Sequence, residues 1–254
     1  MDLGLDGRRA LVTASSKGLG RACAEALAAE GAKVFISSRD QAAIESTGKQ
    51  IGAAGWLTAD VSKAGEPEAL VAATVASLGG LDILVANAGG PPPGTFQGTP
   101  LESWDTAFQL TLMSAVRLVN AGLPHLKRSG QGRIVFITSV SVRQPIPNIT
   151  LSNSLRAAVT GLAKTLSREV ARDAVTVNCL APDGILTDRI RNLAAAAGGD
   201  VDEELQRRAA ASPTGRFGDP SEFGAACAFL CSRQAGYITG QTLGVDGGAL
   251  VGVH

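Results

Sequence analysis

The chain has 254 residues, 45% of them apolar, with 31 glycines and a formal net charge of zero. That length holds one large α/β domain or two small ones and buries a substantial core. Without a Lys/Arg cluster to track phosphates it is not a nucleic-acid binder, and no apolar stretch is long enough to span a bilayer. The opening Met1-Asp2-Leu3-Gly4-Leu5-Asp6-Gly7 lacks the basic and apolar segments of a signal peptide. Cys23, Cys179, Cys227 and Cys231 are scattered, and of two histidines one is terminal, so no metal site is expected. The cysteines read as core residues of a reducing compartment, which places the protein in the cytoplasm.

In chain order, Ala10-Leu11-Val12 reads as a buried strand that breaks into a loop of small residues, Thr13 to Gly20. A helical pattern over Arg21–Glu30 is stopped by Gly31, and Lys33–Ser38 forms the second strand. A helix N-terminus presents unpaired N–H groups and the positive end of its dipole, so this turn suits a pyrophosphate. Gly18 and Gly20 would admit close backbone approach. The six-position dinucleotide fingerprint is incomplete, because Cys23 takes the place of its third glycine, and a plain tight turn is the alternative.

Gln41–Ile51 reads as a helix, Trp56–Val61 as strand three, and Glu66–Leu78 as a helix ended by Gly79-Gly80. Asp82–Ala86 is strand four, running into Asn87-Ala88-Gly89-Gly90 and a proline-rich loop. A long helix over about Leu101 to Lys127 precedes strand five, Arg133–Ile137, which ends at Thr138-Ser139. A second long helix covers about Ser152 to Arg172, and strand six Val175–Leu180. Asp188–Ala197, Asp202–Ala211 and Pro220–Ser232 read as helical, and Thr242–Val245 as the last strand. Regular βα alternation with continuous apolar strands gives a parallel sheet covered on both faces. Right-handed crossovers order the first strands 3-2-1 and send strand four to the other side. Ligand then binds at the carboxyl ends of strands one and four, where Ser15–Gly20 and Asn87–Gly90 converge. One α/β domain spans the chain.

Thr13–Gly20, Asp60-Val61, Asn87-Ala88-Gly89, Ser139, Val175–Asn178, Pro182–Thr187, Thr239-Gly240-Gln241 and Asp246-Gly247-Gly248 occur in an order that resembles the short-chain dehydrogenases/reductases. The resemblance covers nearly the whole chain and is nearest to 3-oxoacyl-carrier-protein-reductase-like members. It implies a single doubly wound Rossmann domain, seven parallel strands in the order 3-2-1-4-5-6-7, and a substrate lid at about 188–215. It implies a dinucleotide held by Thr13, Ser15, Ser16, Lys17, Gly18, Leu19 and Gly20. Asp60, followed by Val61, would accept from the adenine amino group, Asn87-Ala88-Gly89 would pack beneath the adenine ribose, and Thr187 would reach the nicotinamide amide or a phosphate. A homo-oligomer, tetramer or dimer, is implied as well.

The cofactor's identity turns on Lys17, Ser38 and Arg39. An NAD-preferring site ends strand two with a carboxylate that bonds the ribose 2′-hydroxyl and repels a 2′-phosphate. Here Ser38 stands there with Arg39 beside it and Lys17 in the neighbouring loop, a set suited to NADP. Asp40 lies one residue further on, where it can cap the next helix.

The departures from the family fall on the chemistry. The common machinery is Asn, Ser, Tyr and Lys, with Tyr thirteen residues after Ser and four before Lys. Counted from Ser139, the tyrosine position holds Ser152 and the lysine position Arg156, while Thr111 takes the place of Asn. Ala14 replaces the first loop glycine, Asp183 stands where glycine usually follows Pro182, and the one tyrosine, Tyr237, lies elsewhere. Three readings follow: an NADP(H)-dependent oxidoreductase of a carbonyl/hydroxyl substrate with atypical catalytic groups, a non-catalytic NADP(H)-binding protein, or a lyase resembling halohydrin dehalogenases. The last uses Ser, Tyr and Arg, of which Ser152 breaks the pattern. Pro91–Phe96, Val142–Ile149 and Asp188–Pro213 would line a small-molecule substrate, with Arg143 and Arg189 interspersed. That admits a medium-sized apolar carbonyl, a thioester or an acid.

Overall fold

A computed structural model describes residues 2–196 and 198–253. Its seven-stranded sheet runs β3-β2-β1-β4-β5-β6-β7, every pair parallel. The strands are β1 (Arg9–Val12), β2 (Lys33–Ser38), β3 (Gly55–Thr58), β4 (Ile83–Ala86), β5 (Arg133–Ile137), β6 (Thr176–Pro182) and β7 (Thr242–Val245). The helices are α1 (Gly18–Ala29), α2 (Gln41–Ile51), α3 (Glu66–Leu78), α4 (Leu101–Phe108), α5 (Ser114–Arg128), α6 (Thr150–Glu169), α7 (Asp188–Ala196), α8 (Val201–Ala210) and α9 (Pro220–Cys231).

The apolar runs of β4 and β5 are buried throughout because helices cover both faces. On one face Leu11, Leu84, Ile134 and Phe136 pack with Leu70, Leu118 and Val159 of α3, α5 and α6. On the other, Val12, Ile36, Val85 and Leu180 pack with Leu27 of α1 and Phe223 and Cys227 of α9. Each fully buried side chain of this size contributes roughly 1.5–3 kcal/mol relative to exposure. All four cysteines are free and buried, as their apolar context predicts.

Several element ends differ from the sequence reading. α1 starts at Gly18, three residues before the expected Arg21, so the loop glycines form the helix's first turn. β3 stops at Thr58, and the backbone N–H of Asp60 is taken by the Glu66 carboxylate as the chain leaves the sheet edge. The helix expected at Ser152–Arg172 ends at Glu169 and passes into a short 3-10 turn, Ala171–Asp173. Of the expected Asp188–Ala197, residue 197 lies outside the described residues. Between α4 and α5 the long helix widens into a π-turn, Gln109–Met113. No periodicity announces it. Such turns cluster where a helix meets a functional site, and this one holds Thr111.

Candidate active site

The parallel sheet turns all its carboxyl ends to one edge, and the loops after β1, β4, β5 and β6 meet there. Much of the loop after β1 is committed to holding itself together. Thr13 Oγ1 donates to Asn87 O (2.6 Å) and accepts from Asn87 N–H (2.9 Å), and Asn87 Nδ2 donates to Ala14 O (3.0 Å). Ser15 is fully buried and donates to Val12 O (2.8 Å). Thr13 and Ser15 thus position the loop, and their hydroxyls face inward. Ser16 O is tied to α2 by Thr47 Oγ1 (2.9 Å), a contact with no sequence signal.

What the loop offers a ligand is backbone. Lys17 precedes α1 in extended conformation without a side-chain cap, so the first-turn N–H groups of Gly18, Leu19 and Gly20 are left for an outside acceptor. A Cβ on Gly20 would come within 2.5 Å of Ala14 O and 2.7 Å of Asn87 Nδ2, so helix, loop and β4 close up only around glycine. Gly18 has φ +59°, and its α-carbon faces Thr187, the residue that opens toward α7. Loops from opposite sides of the switch point therefore approach around a helix N-terminus, which fits a pyrophosphate.

Ala14 occupies the left-handed region at φ 47° without being glycine. That conformation costs an L-residue roughly 1–2 kcal/mol, partly offset in a glycine variant by about 0.4–1 kcal/mol of unfolded-chain entropy. Ala14→Gly is therefore expected to raise the thermal midpoint by about 2–4 °C, as scanning calorimetry would read. A fall instead would show that the methyl's packing outweighs its backbone strain.

At the far end of the edge, Arg39, Thr58, Ala59, Asp60 and Lys63 line a groove of about 390 Å³. Burial alone would push the Asp60 carboxyl up. The Ser62 hydroxyl and N–H, with Arg39 and Lys63 nearby, outweigh it and hold Asp60 below the usual carboxylate range. Asp60 Oδ1 carries both Ser62 bonds. Val61, next in the chain, is buried. Ser38 is nearly buried and exchanges hydrogen bonds with the Asp40 backbone, while Asp40 Oδ1 accepts from Ala43 N–H (3.0 Å) at the start of α2. The only acid near the end of β2 in sequence is thus turned onto the helix, and Arg39 is left exposed beside the groove. Lys63 was not singled out in the sequence, since a lysine after Asp-Val-Ser looks like any solvated cation.

The four candidate catalytic positions gather at the centre of the edge. Ser139 follows β5, half-buried, and its Oγ accepts from Ser141 N–H (3.1 Å). Arg156 reaches from α6 and donates Nη1 to Ile137 O (2.7 Å) and Thr138 O (3.2 Å), beside Ser139. Ser152 lies one turn earlier on the same face of α6 and is buried. Thr111, Arg156, Asn87 and Ala88 line a cavity of about 20 Å³. Thr111 Oγ1 is buried there with no partner among the described residues. A cavity of that size holds about one water. Burial, and then the charge of Arg189, pull Arg156 down to about 10. Gly89 continues the loop past Asn87-Ala88, with nothing within 4 Å of a Cβ placed on it.

Two expected substrate contacts separate. Arg143 turns away and donates Nη2 to Thr242 O (2.7 Å), whereas Arg189 folds back from α7 onto the loop after β4, donating Nη2 to Pro91 O (3.4 Å). Tyr237 is fully exposed before β7 and takes no part. α7 and α8 follow Thr187 within the stretch expected as a lid, and Ala194 and Leu205 are buried there.

A doubly wound sheet with a glycine-closed helix N-terminus at its switch point defines a dinucleotide-binding domain. The family model described as Enoyl-(Acyl carrier protein) reductase matches residues 13–249. The chain is 37% identical to Dehydrogenase/reductase SDR family member 4 of Bos taurus, over 97% of this chain and 88% of the relative. It is 36% identical to the 3-oxoacyl-[acyl-carrier-protein] reductase FabG of Vibrio cholerae, over 97% and 98%. L-sorbose reductase from Gluconobacter frateurii, solved with NADPH and L-sorbose, superposes with a TM-score of 0.91 at 35% identity, covering both chains completely. The chain belongs to the short-chain dehydrogenase/reductase family, whose NAD(P)-dependent reductases it resembles throughout. No described helix is long and apolar enough to cross a membrane.

Proposed function

We propose that this protein is a cytoplasmic NADP(H)-dependent oxidoreductase of a carbonyl/hydroxyl pair whose proton-donating machinery is altered. The observation that carries the reading is a helix N-terminus closed on Gly20, with Arg156 bonded to the backbone just before Ser139 and Ser152 one turn earlier on α6. NADPH and sugar reduction in sorbose reductase, and 3-oxoacyl reduction in the bacterial relative, support the reaction class.

The dinucleotide would lie from the Arg39 groove, past the N-terminus of α1, to Thr187, and when bound supplies a hydride to a carbonyl carbon. Ser139 Oγ accepts from Ser141 N–H, which leaves its own hydrogen free to be donated to a substrate oxygen. Arg156 adds positive charge where an oxyanion develops. It does not release a proton at working pH, and Ser152 is a poor acid, so the proton has to come through water. General acid help is worth about 10²–10⁴-fold, which sets the expected deficit on ordinary ketones and 3-oxoacyl thioesters. The same absence of tyrosine supports a second reading, a dinucleotide-binding protein without turnover. Arg156 alone favours the dehalogenase-like reading, and Ser152 opposes it.

Calorimetric titration tests the cofactor assignment. NADPH is expected to bind more tightly than NADH. Equal affinity, or a preference for NADH, would discard the role given to Lys17 and Arg39 and to the lack of a carboxylate at Ser38, and binding of neither would discard the site.

A homo-oligomer, tetramer or dimer, is expected. Leu101 and Phe108 are exposed along α4, and the outer face of α6 is a stripe of Ala157, Ala158 and Gly161. Small residues there would let a second copy's helix approach closely. Light scattering at micromolar concentration should give a multiple of the 25.8 kDa chain mass; a monomer mass would end the idea.

A further inference from the structure

We propose that the carbonyl substrate of this site carries its own carboxylate, as a small oxo acid does, and that Arg189 together with Arg156 receives that group. The inference rests on the oxidoreductase reading above and names its substrate class.

The two guanidinium groups reach the same loop, 87–91, from different helices. Arg156 comes from α6, bonded through Nη1 to the carbonyls that end β5, and shares the small cavity with Asn87 and Ala88. Its Nε and Nη2 have no hydrogen-bond acceptor among the described residues. Arg189 comes from the first turn of α7 and rests its guanidinium on Gly90, where any Cβ would collide with it. Its Nη2 has only a long bond to Pro91 O.

Neither arginine forms an ion pair with any described acid. Elsewhere the acids are well matched: Asp82 holds Arg9, Glu204 holds Arg207 and Arg208, and Glu222 holds Arg216. Asp183, the acid after β6, is instead raised by burial and by Asp246. The desolvation and mutual repulsion that lower Arg156 are the mark of a cation pair without its counter-ion. A guanidinium fork matches a carboxylate bidentately, which a lone solvated cation would not require. The reaction stays balanced. The carbonyl carbon takes a hydride from reduced nicotinamide, its oxygen takes a proton from water, and the carboxylate is unchanged.

The experiment separates charge from shape. Wild type, Arg189→Leu and Arg189→Lys are first titrated with NADPH. Then 2-oxobutyrate, acetoacetate and levulinate are titrated into the NADP-loaded proteins beside their methyl esters, which keep the shape and lose the charge. Wild type is expected to bind at least one acid about tenfold or more tighter than its ester. Arg189→Leu should remove that difference while keeping NADPH affinity, and Arg189→Lys should keep part of it. Tight NADPH with acids and esters bound equally, or neither bound, overturns this inference alone. Equal losses of NADPH and acid in Arg189→Leu overturn it too, because the cation would then serve the dinucleotide. Failure of wild type to bind NADPH overturns the reading beneath it and the inference with it.

Discussion

The double variant Ser152→Tyr with Arg156→Lys is expected to raise NADPH-dependent carbonyl reduction by about 10²-fold or more, the range that general acid catalysis spans. Both positions lie on the inward face of α6, one turn apart, and Arg156 is anchored to the carbonyl groups just before Ser139. A lysine on that backbone retains one of those bonds, and a tyrosine one turn earlier extends its hydroxyl by a ring's length toward Ser139. Ser152→Tyr alone should gain less, since the guanidinium stays in the space beside the new ring. Adding Thr111→Asn should help further: the Thr111 hydroxyl has no partner, and a longer amide reaches into the cavity it shares with Arg156. The measurement is the steady loss of NADPH absorbance on a panel of small diketones and acyl thioesters. A wild type already turning over at about 1–10³ s⁻¹ would remove the premise and end the reading without turnover. Asp183 would then be the first residue to test as proton donor. It follows β6, half-buried, and burial, with Asp246 nearby, pushes its carboxyl up. Ser141 and Arg143 are weaker candidates, one sealed in the interior and the other turned to Thr242.

The fold was legible because its determinants are local and periodic. Unbroken apolar runs such as Ile83–Ala86 and 134–137, bounded by turn residues, read as central strands, and handed crossovers then order them. Strand ends were less legible. β3 is an exposed edge, so Trp56 and Leu57 stay partly in water and no burial pattern marks where pairing stops. The candidate site was legible as residue types at family spacing, and Asp40 caps α2 as its position suggested. What the sequence did not carry was direction. Thr13 and Ser15 look like ligand hydroxyls, yet both turn inward because buried backbone carbonyls need donors. Arg143 and Arg189 look alike as lone cations between apolar stretches, and only tertiary structure sends one to β7 and the other over Gly90. The π-turn at Gln109–Met113 is a packing outcome and has no one-dimensional signal.

Exchanging the end of β2 should reverse the cofactor preference. In Ser38→Asp with Arg39→Leu, NADPH affinity is expected to fall about 10²-fold, a loss of ~2.7 kcal/mol, while NADH binding holds or improves. The size follows from the groups involved. Removing Arg39 deletes a charge-assisted bond worth about 1.5–3 kcal/mol, and the new carboxylate adds repulsion with a 2′-phosphate where wild type has only a hydroxyl. The Asp40 carboxylate does not compete there, because it is bonded to Ala43 N–H at the start of α2, and Asp60, in the same groove, is engaged by Ser62. The two single variants divide the effect: Arg39→Leu should weaken NADPH with little change in NADH, and Ser38→Asp should act on both in opposite directions. Ser38→Ala is the control. Its hydroxyl is engaged with the Asp40 backbone, so its removal should shift stability more than preference. If calorimetry found NADPH affinity of the double variant within about threefold of wild type, the phosphate would have to sit elsewhere. Lys17 in the loop before α1 and Lys63 in the groove would then be the cations to exchange next.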